Sequence, residues 1–208
     1  MAKVYNFGAG PAMLPEPVMR KIQQEWLDYQ GMGVSVIEIS HRSKEFVAIL
    51  EEAQALFREL AGLPDNYKIL FVHGGARMQF SALPFNLAGR KPGKRCLYFE
   101  TGNFAKIAAK DASALCNVEI VASSAETNYD RIPDYDPTVF TDDASYVHIT
   151  GNNTIYGTRW NQFPQTGDVP LVADMTSEIL SREIDYSTFG VIYAGMQKNL
   201  GPSGMALV

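Results

Sequence analysis

The sequence predicts an α/β fold built as three layers, a mostly parallel sheet with helices on both faces. From Lys68 onward, short apolar runs alternate with helix-patterned segments, the pattern of parallel strands joined by crossover helices. The 208 residues, 46% of them apolar and 20% charged, provide enough material for a sizeable core.

Residues 1–15 read as an extended arm, because Asn6-Phe7-Gly8-Ala9-Gly10-Pro11-Ala12-Met13-Leu14 is too rich in glycine and proline for a regular element. Residues 16–208 read as one large domain. Pro15 and Pro17 suit a first helical turn, and Val18, Ile22 and Trp26 continue at four-residue spacing until about Gly31. A second helix follows Ser40-His41-Arg42-Ser43. Its apolar positions Phe46, Ile49, Leu50, Ala53, Leu56, Phe57 and Leu60 keep the helical period, and Gly62 and Pro64 stop it.

Strands are predicted at 69–72, 96–99, 118–122, 146–149, 171–173 and 191–194, with helices at 78–88 and from about 104 to 115. Residues 123–143, with Pro133, Pro137 and several aspartates, read as surface connection. Met205-Ala206-Leu207-Val208 reads as the start of another strand, one that would leave an unpaired apolar edge prone to association.

Net charge is −5 and no run of five basic residues occurs, which disfavours nucleic-acid and membrane-surface binding. No apolar stretch approaches bilayer length and the N-terminus lacks the apolar core of a signal peptide, so the expected location is the cytoplasm. Cys96 and Cys116 form neither a metal spacing nor a disulfide framework and read as reduced, structural thiols; no metal is expected.

In open α/β sheets, ligands bind beyond the carboxyl ends of the strands. The residues just after the predicted runs are His73-Gly74-Gly75-Ala76-Arg77, Gly102-Asn103-Phe104, 151–154, Asp174 and Gln197-Lys198. Each has an ordinary reading and a chemical one. Lys198, in a turn bounded by Gly195, Gly201, Pro202 and Gly204, is either a solvated loop lysine or a partly desolvated amine suited to Schiff-base chemistry. Gly74-Gly75 before a helix is a simple turn or a phosphate site made of free N–H groups. Phe104 is core or a stacking surface, and Asp174 is a cap or the partner of a protonated ring nitrogen. One cofactor uses an amine, a phosphate site, a stacking ring and a carboxylate together: pyridoxal 5'-phosphate.

Five stretches in this order carry a resemblance. They are the arm 6–14, then Glu38-Ile39-Ser40-His41-Arg42-Ser43-Lys44-Glu45-Phe46, His73-Gly74-Gly75-Ala76-Arg77-Met78-Gln79-Phe80, Ala173-Asp174-Met175-Thr176-Ser177 with Ile179-Leu180-Ser181-Arg182, and 190–204. The chain resembles the phosphoserine aminotransferase family, in the class V branch of fold-type I pyridoxal-phosphate enzymes. The resemblance implies that Lys198 forms the Schiff base and that Asp174 pairs with the pyridine nitrogen. It further implies that Phe104 stacks on the ring, Thr154 bonds near the phenolic oxygen, and Ala76, Arg77 and Gln197 hold the phosphate. His41 and Arg42 are implied as substrate ligands.

The implied reaction moves an amino group between glutamate and 3-phosphohydroxypyruvate, giving phosphoserine and 2-oxoglutarate in serine biosynthesis, with pyridoxine biosynthesis as a side role and a homodimer as the assembly. Another class V enzyme acting on a small amino acid is the alternative activity. Two local departures stand out: Phe104 occupies a position where the family usually has tryptophan, and Ala9 one where serine is frequent. Family chains also continue past position 208 into a small C-terminal domain, so the chain is expected to be an N-terminal portion, with an inactive fragment as a further alternative.

Overall fold

The computed structural model describes residues 4–208, so the first three residues of the predicted arm lie outside the described residues. The rest of the arm has no regular element. It runs over the end of the chain, where the Ala12 N–H donates to the Gln197 carbonyl at 2.7 Å. Helix α1 spans Glu16–Glu25 and stops at Trp26, short of the expected end near Gly31. Its apolar positions Val18, Ile22 and Trp26 remain more than 40% exposed, since none of the described elements covers them.

Helix α2, Lys44–Ala61, starts where the Ser43 hydroxyl accepts from the Phe46 N–H, and ends at Gly62 in the left-handed conformation, φ 59°. Of its expected apolar face, Phe57 is buried with Ala61, while Leu50, Leu56 and Leu60 face outward.

The remaining elements alternate as expected. Strand β1 is Phe71–His73, α3 is Ala76–Leu87, β2 is Arg95–Glu100, α4 is Asn103–Ala112 and β3 is Asn117–Ser123. Then follow β4, Ala144–Thr150, a small hairpin of β5, Asn152–Asn153, and β6, Thr158–Arg159, and finally β7, Leu171–Asp174, β8, Val191–Gly195, and β9, Met205–Leu207. The hairpin was not foreseen, since two-residue strands carry no readable alternation.

Seven strands form one sheet in the order β1-β9-β8-β7-β4-β2-β3. The pairs β8-β7, β7-β4, β4-β2 and β2-β3 are parallel, whereas β9 is antiparallel to both of its neighbours. The expected unpaired edge at Met205–Leu207 is therefore corrected: β9 lies inside the sheet, bonded to β8 and β1.

Side chains alternate across the sheet with the two-residue period of a strand. Cys96, Tyr98, Tyr146, Val172 and Tyr193 pack against Phe80 and Leu83 of α3 and Ala108, Ala109 and Ala112 of α4. Leu97, Phe99, Val147, Ile149, Leu171 and Ala173 face the other way, onto Phe57 of α2 and onto Trp160, Met175, Ile179 and Phe189. That second layer is built largely from irregular chain. Residues 123–143 belong to it more than expected, since Tyr135 and Phe140 pack on Phe99 with ring centroids 5.0 and 6.4 Å away. Cys96 is a buried and Cys116 a half-buried free thiol.

Candidate active site

At the carboxyl ends of β4, β7 and β8 lies a pocket of about 260 Å³, bounded by the N-terminus of α3 and by Phe104 at the start of α4. The parallel register explains the convergence. Thr150 at the end of β4 pairs with Asp174 at the end of β7, and Asp174 pairs with Tyr193 in β8, so the turn after β8 delivers Lys198 beside the carboxylate.

Asp174 is 4% exposed. Its Oδ1 accepts from the Thr176 main-chain N–H at 2.9 Å and from the Thr176 hydroxyl at 2.5 Å, while no residue among those described hydrogen-bonds Oδ2. Burial pushes the Asp174 pKa up from the ordinary carboxylate value, opposed by the Thr176 bonds and by the charge of Lys198. Lys198 is half-buried, and burial pushes its amine pKa down, against the pull of Asp174.

Lys198 Nζ donates to the Thr154 hydroxyl at 2.5 Å and stands 5.2 Å from the centre of the Phe104 ring. Thr154 in turn donates to Ser177 at 3.0 Å, and Ser177 to the Asn152 carbonyl at 3.0 Å. From the open side, the arm lies directly against the lysine. A β-carbon at Gly10 would come 3.1 Å from Lys198 Cγ, so a larger residue there would press on the lysine stem.

The first turn of α3 has no side-chain cap, which leaves main-chain N–H groups at Ala76 and Arg77 to meet an anion. The Arg77 guanidinium is turned away. It makes a two-point pair with Asp111 at 2.8 and 3.2 Å and is largely solvated, so residue 77 faces the pocket mainly through its backbone.

Of the residues read from the sequence, Ala76, Arg77, Phe104, Thr154, Asp174, Gln197 and Lys198 line this one pocket. His41 and Arg42 do not: both are exposed in the turn before α2. Sequence reasoning gave no role to Thr176, Ser177 or Asn152, although all three lie in stretches it singled out. The signal for the first two was the pair of hydroxyl residues two and three positions after a strand-end aspartate, a spacing that favours side-chain to backbone turns.

Comparison with known proteins bears on the family. The model of the aminotransferase class-V family matches residues 4–208. The chain belongs to that family. Among curated relatives, this class-V aminotransferase chain is 51% identical over 210 residues to the phosphoserine aminotransferase of Listeria innocua, covering 100% of this chain and 56% of the relative. It is 48% identical over 207 residues to the phosphoserine aminotransferase of Bacillus cereus, covering 57% of it.

Among solved structures, the phosphoserine aminotransferase of Bacillus circulans subsp. alkalophilus superposes with a TM-score of 0.91 at 44% identity, covering 99% of this chain and 56% of that one. The pyridoxal-phosphate-bound phosphoserine aminotransferase of Trichomonas vaginalis gives 0.88 at 36% identity, covering 99% and 57%. The class-V chain thus spans about half the length of the curated relatives it matches.

Proposed function

We propose that this chain is the cofactor-binding part of a pyridoxal-phosphate-dependent phosphoserine aminotransferase, exchanging an amino group between glutamate and 3-phosphohydroxypyruvate in serine biosynthesis. The observation that carries the reading is the meeting of Lys198 and Asp174 in one pocket, at the ends of adjacent parallel strands.

The residues present fit the cofactor. Asp174 Oδ2 has no partner among the described residues, the first turn of α3 is uncapped, and Phe104 offers a partly exposed ring face beside the amine. When bound, pyridoxal phosphate supplies an electron-accepting ring that makes the α-hydrogen of an attached amino acid acidic.

The chain's own groups divide the remaining work. Lys198 Nζ, its basicity lowered by burial, is the amine that would hold the cofactor and, once displaced by the substrate's amino group, the base that would carry the α-proton away from the α-carbon. Asp174 Oδ2 would hold a proton on the ring nitrogen through a charge-assisted hydrogen bond. Main-chain N–H groups of Ala76 and Arg77, with Gln197, would take the phosphate, which the positive end of the α3 dipole favours. Phe104 would stack on the ring, and Thr154 would bond near the phenolic oxygen.

His41 and Arg42 belong to this proposal as substrate ligands in an assembly of two chains, because in one chain they line no wall of the pocket. A cytoplasmic homodimer acting on phosphoserine, glutamate, 2-oxoglutarate and 3-phosphohydroxypyruvate is the expected form. Among the described residues, no helix is long and apolar enough to cross a membrane.

The test is attachment. Incubation with pyridoxal phosphate, borohydride reduction and peptide mass spectrometry should place the added mass on Lys198, and the Lys198→Ala variant should take up none. Label on other lysines alone would refute the assignment. For the substrate, phosphoserine should outpace alanine in the amino-transfer half-reaction of the loaded protein, and the reverse order would exclude it.

A further inference from the structure

We propose that Thr176 is a positioning residue for the pocket, a hydroxyl that holds Asp174 with Oδ1 occupied and Oδ2 free and joins it to the strand that leads into the Lys198 turn. The proposal deepens the functional reading above and rests on it for the partner of Oδ2, while its geometry stands on the chain alone.

The direction of the Thr176 proton follows from its neighbours. A main-chain N–H can only donate, so the Gly195 N–H, 3.1 Å away, takes a lone pair of Thr176 Oγ1. The hydroxyl hydrogen is then left for Asp174 Oδ1, at 2.5 Å. The same Oδ1 accepts the Thr176 N–H at 2.9 Å, so both donors of one residue converge on one oxygen. A carboxyl proton on Oδ1 would oppose both of them. Any proton shared with a ligand must therefore sit at Oδ2.

The arrangement also sets which form of the carboxyl is favoured. Burial favours the neutral acid, whereas hydrogen bonds to the anion favour the carboxylate. Lys198, from the turn between β8 and β9, adds a positive charge, and Tyr193 of β8 faces Asp174 as a buried phenol whose own ionisation the carboxylate opposes. Among these groups, Thr176 alone places two donors on the carboxylate. Because Gly195 lies three residues before Lys198, the hydroxyl also spans the loop after β7 and the end of β8.

A purely structural bridge would affect stability and leave the Asp174 titration in place, so the titration decides. In the 208-residue chain with carboxyl-labelled aspartate, the Asp174 carbon signal is assigned from its loss in Asp174→Asn and followed against pH by NMR. Thr176→Val should move its midpoint upward by about one pH unit, and Thr176→Ser, which keeps the hydroxyl, should restore it. An unchanged midpoint in Thr176→Val would overturn the proposal.

A second measurement needs no variant. In the unaltered chain, the Gly195 amide signal should follow the Asp174 midpoint through the hydroxyl, and an amide that does not follow it would also overturn the proposal, whether or not Thr176→Val folds. The unloaded chain suffices for both measurements. Should the titration behave as expected while Lys198 takes no pyridoxal phosphate, the Thr176 assignment stands and the cofactor reading falls.

Discussion

The Lys198 amine stands 5.2 Å from the centre of the Phe104 ring and donates a hydrogen bond to the Thr154 hydroxyl. An aromatic face beside an amine stabilises the cation modestly, and the same face offers a stacking surface to a flat ligand. Phe104→Ala should weaken pyridoxal-phosphate retention about 2- to 10-fold, and Phe104→Trp should retain it at least as well as phenylalanine. Equilibrium dialysis of the cofactor checks both. Unaltered retention in Phe104→Ala would remove the ring from the site.

Lys198 should be unusually reactive toward amine reagents. Burial lowers its pKa and so raises the fraction of free amine near neutral pH, while the Asp174 charge works against this. In the chain without cofactor, Lys198 should label faster than exposed lysines such as Lys94 or Lys106, provided the reagent is small enough for the pocket. Asp174→Asn should speed labelling further, since it removes the charge that holds the proton on. Slower labelling in that variant, measured by peptide mass spectrometry, would contradict the electrostatic coupling.

His148 is buried in β4, with Nε2 2.9 Å from the Tyr193 hydroxyl and Nδ1 without a hydrogen-bond partner among the described residues, and burial pushes its pKa down to about 3. Its unfolded pKa is about 6.5, so between these two values the unfolded chain binds the extra proton. Stability from this group is therefore complete above about pH 6.5 and is lost progressively as pH falls toward about 3. His148→Gln should flatten that acid slope by about one proton in denaturant titrations at several pH values. An unchanged slope would show that other groups dominate.

Glu178 is 1% exposed and paired with Arg182 at 2.8 Å, and its second oxygen has no hydrogen-bond partner among the described residues. Arg182 also donates to the Trp160 carbonyl at 3.0 Å. Replacing it as Arg182→Met leaves a buried carboxylate uncompensated and should cost about 3 kcal/mol in chemical unfolding. The double variant Glu178→Gln with Arg182→Met should recover part of the loss, whereas a single variant as stable as the parent would disprove the pairing's role.

The sequence by itself determined the parts whose signal is local. Strand positions, the stop at Gly62 and the residues that follow each strand were readable, because period, turn chemistry and glycine placement act within a few residues. Lys198, Asp174, Phe104, Thr154 and the Gly75-Ala76-Arg77 turn were legible as separate candidates, and the rule that ligands gather at carboxyl ends of parallel strands brought them together.

Contacts between distant segments were decided only by the tertiary structure. The place of β9 between β1 and β8, the salt bridge that turns Arg77 toward Asp111, the exposure of the apolar faces of α1 and α2, and the packing of residues 123–143 on Phe99 all depend on which surfaces meet. So does the Thr176 hydroxyl. Two residues from Asp174 it reads as an ordinary turn former, and only the approach of Gly195 from the neighbouring strand fixes where its proton points.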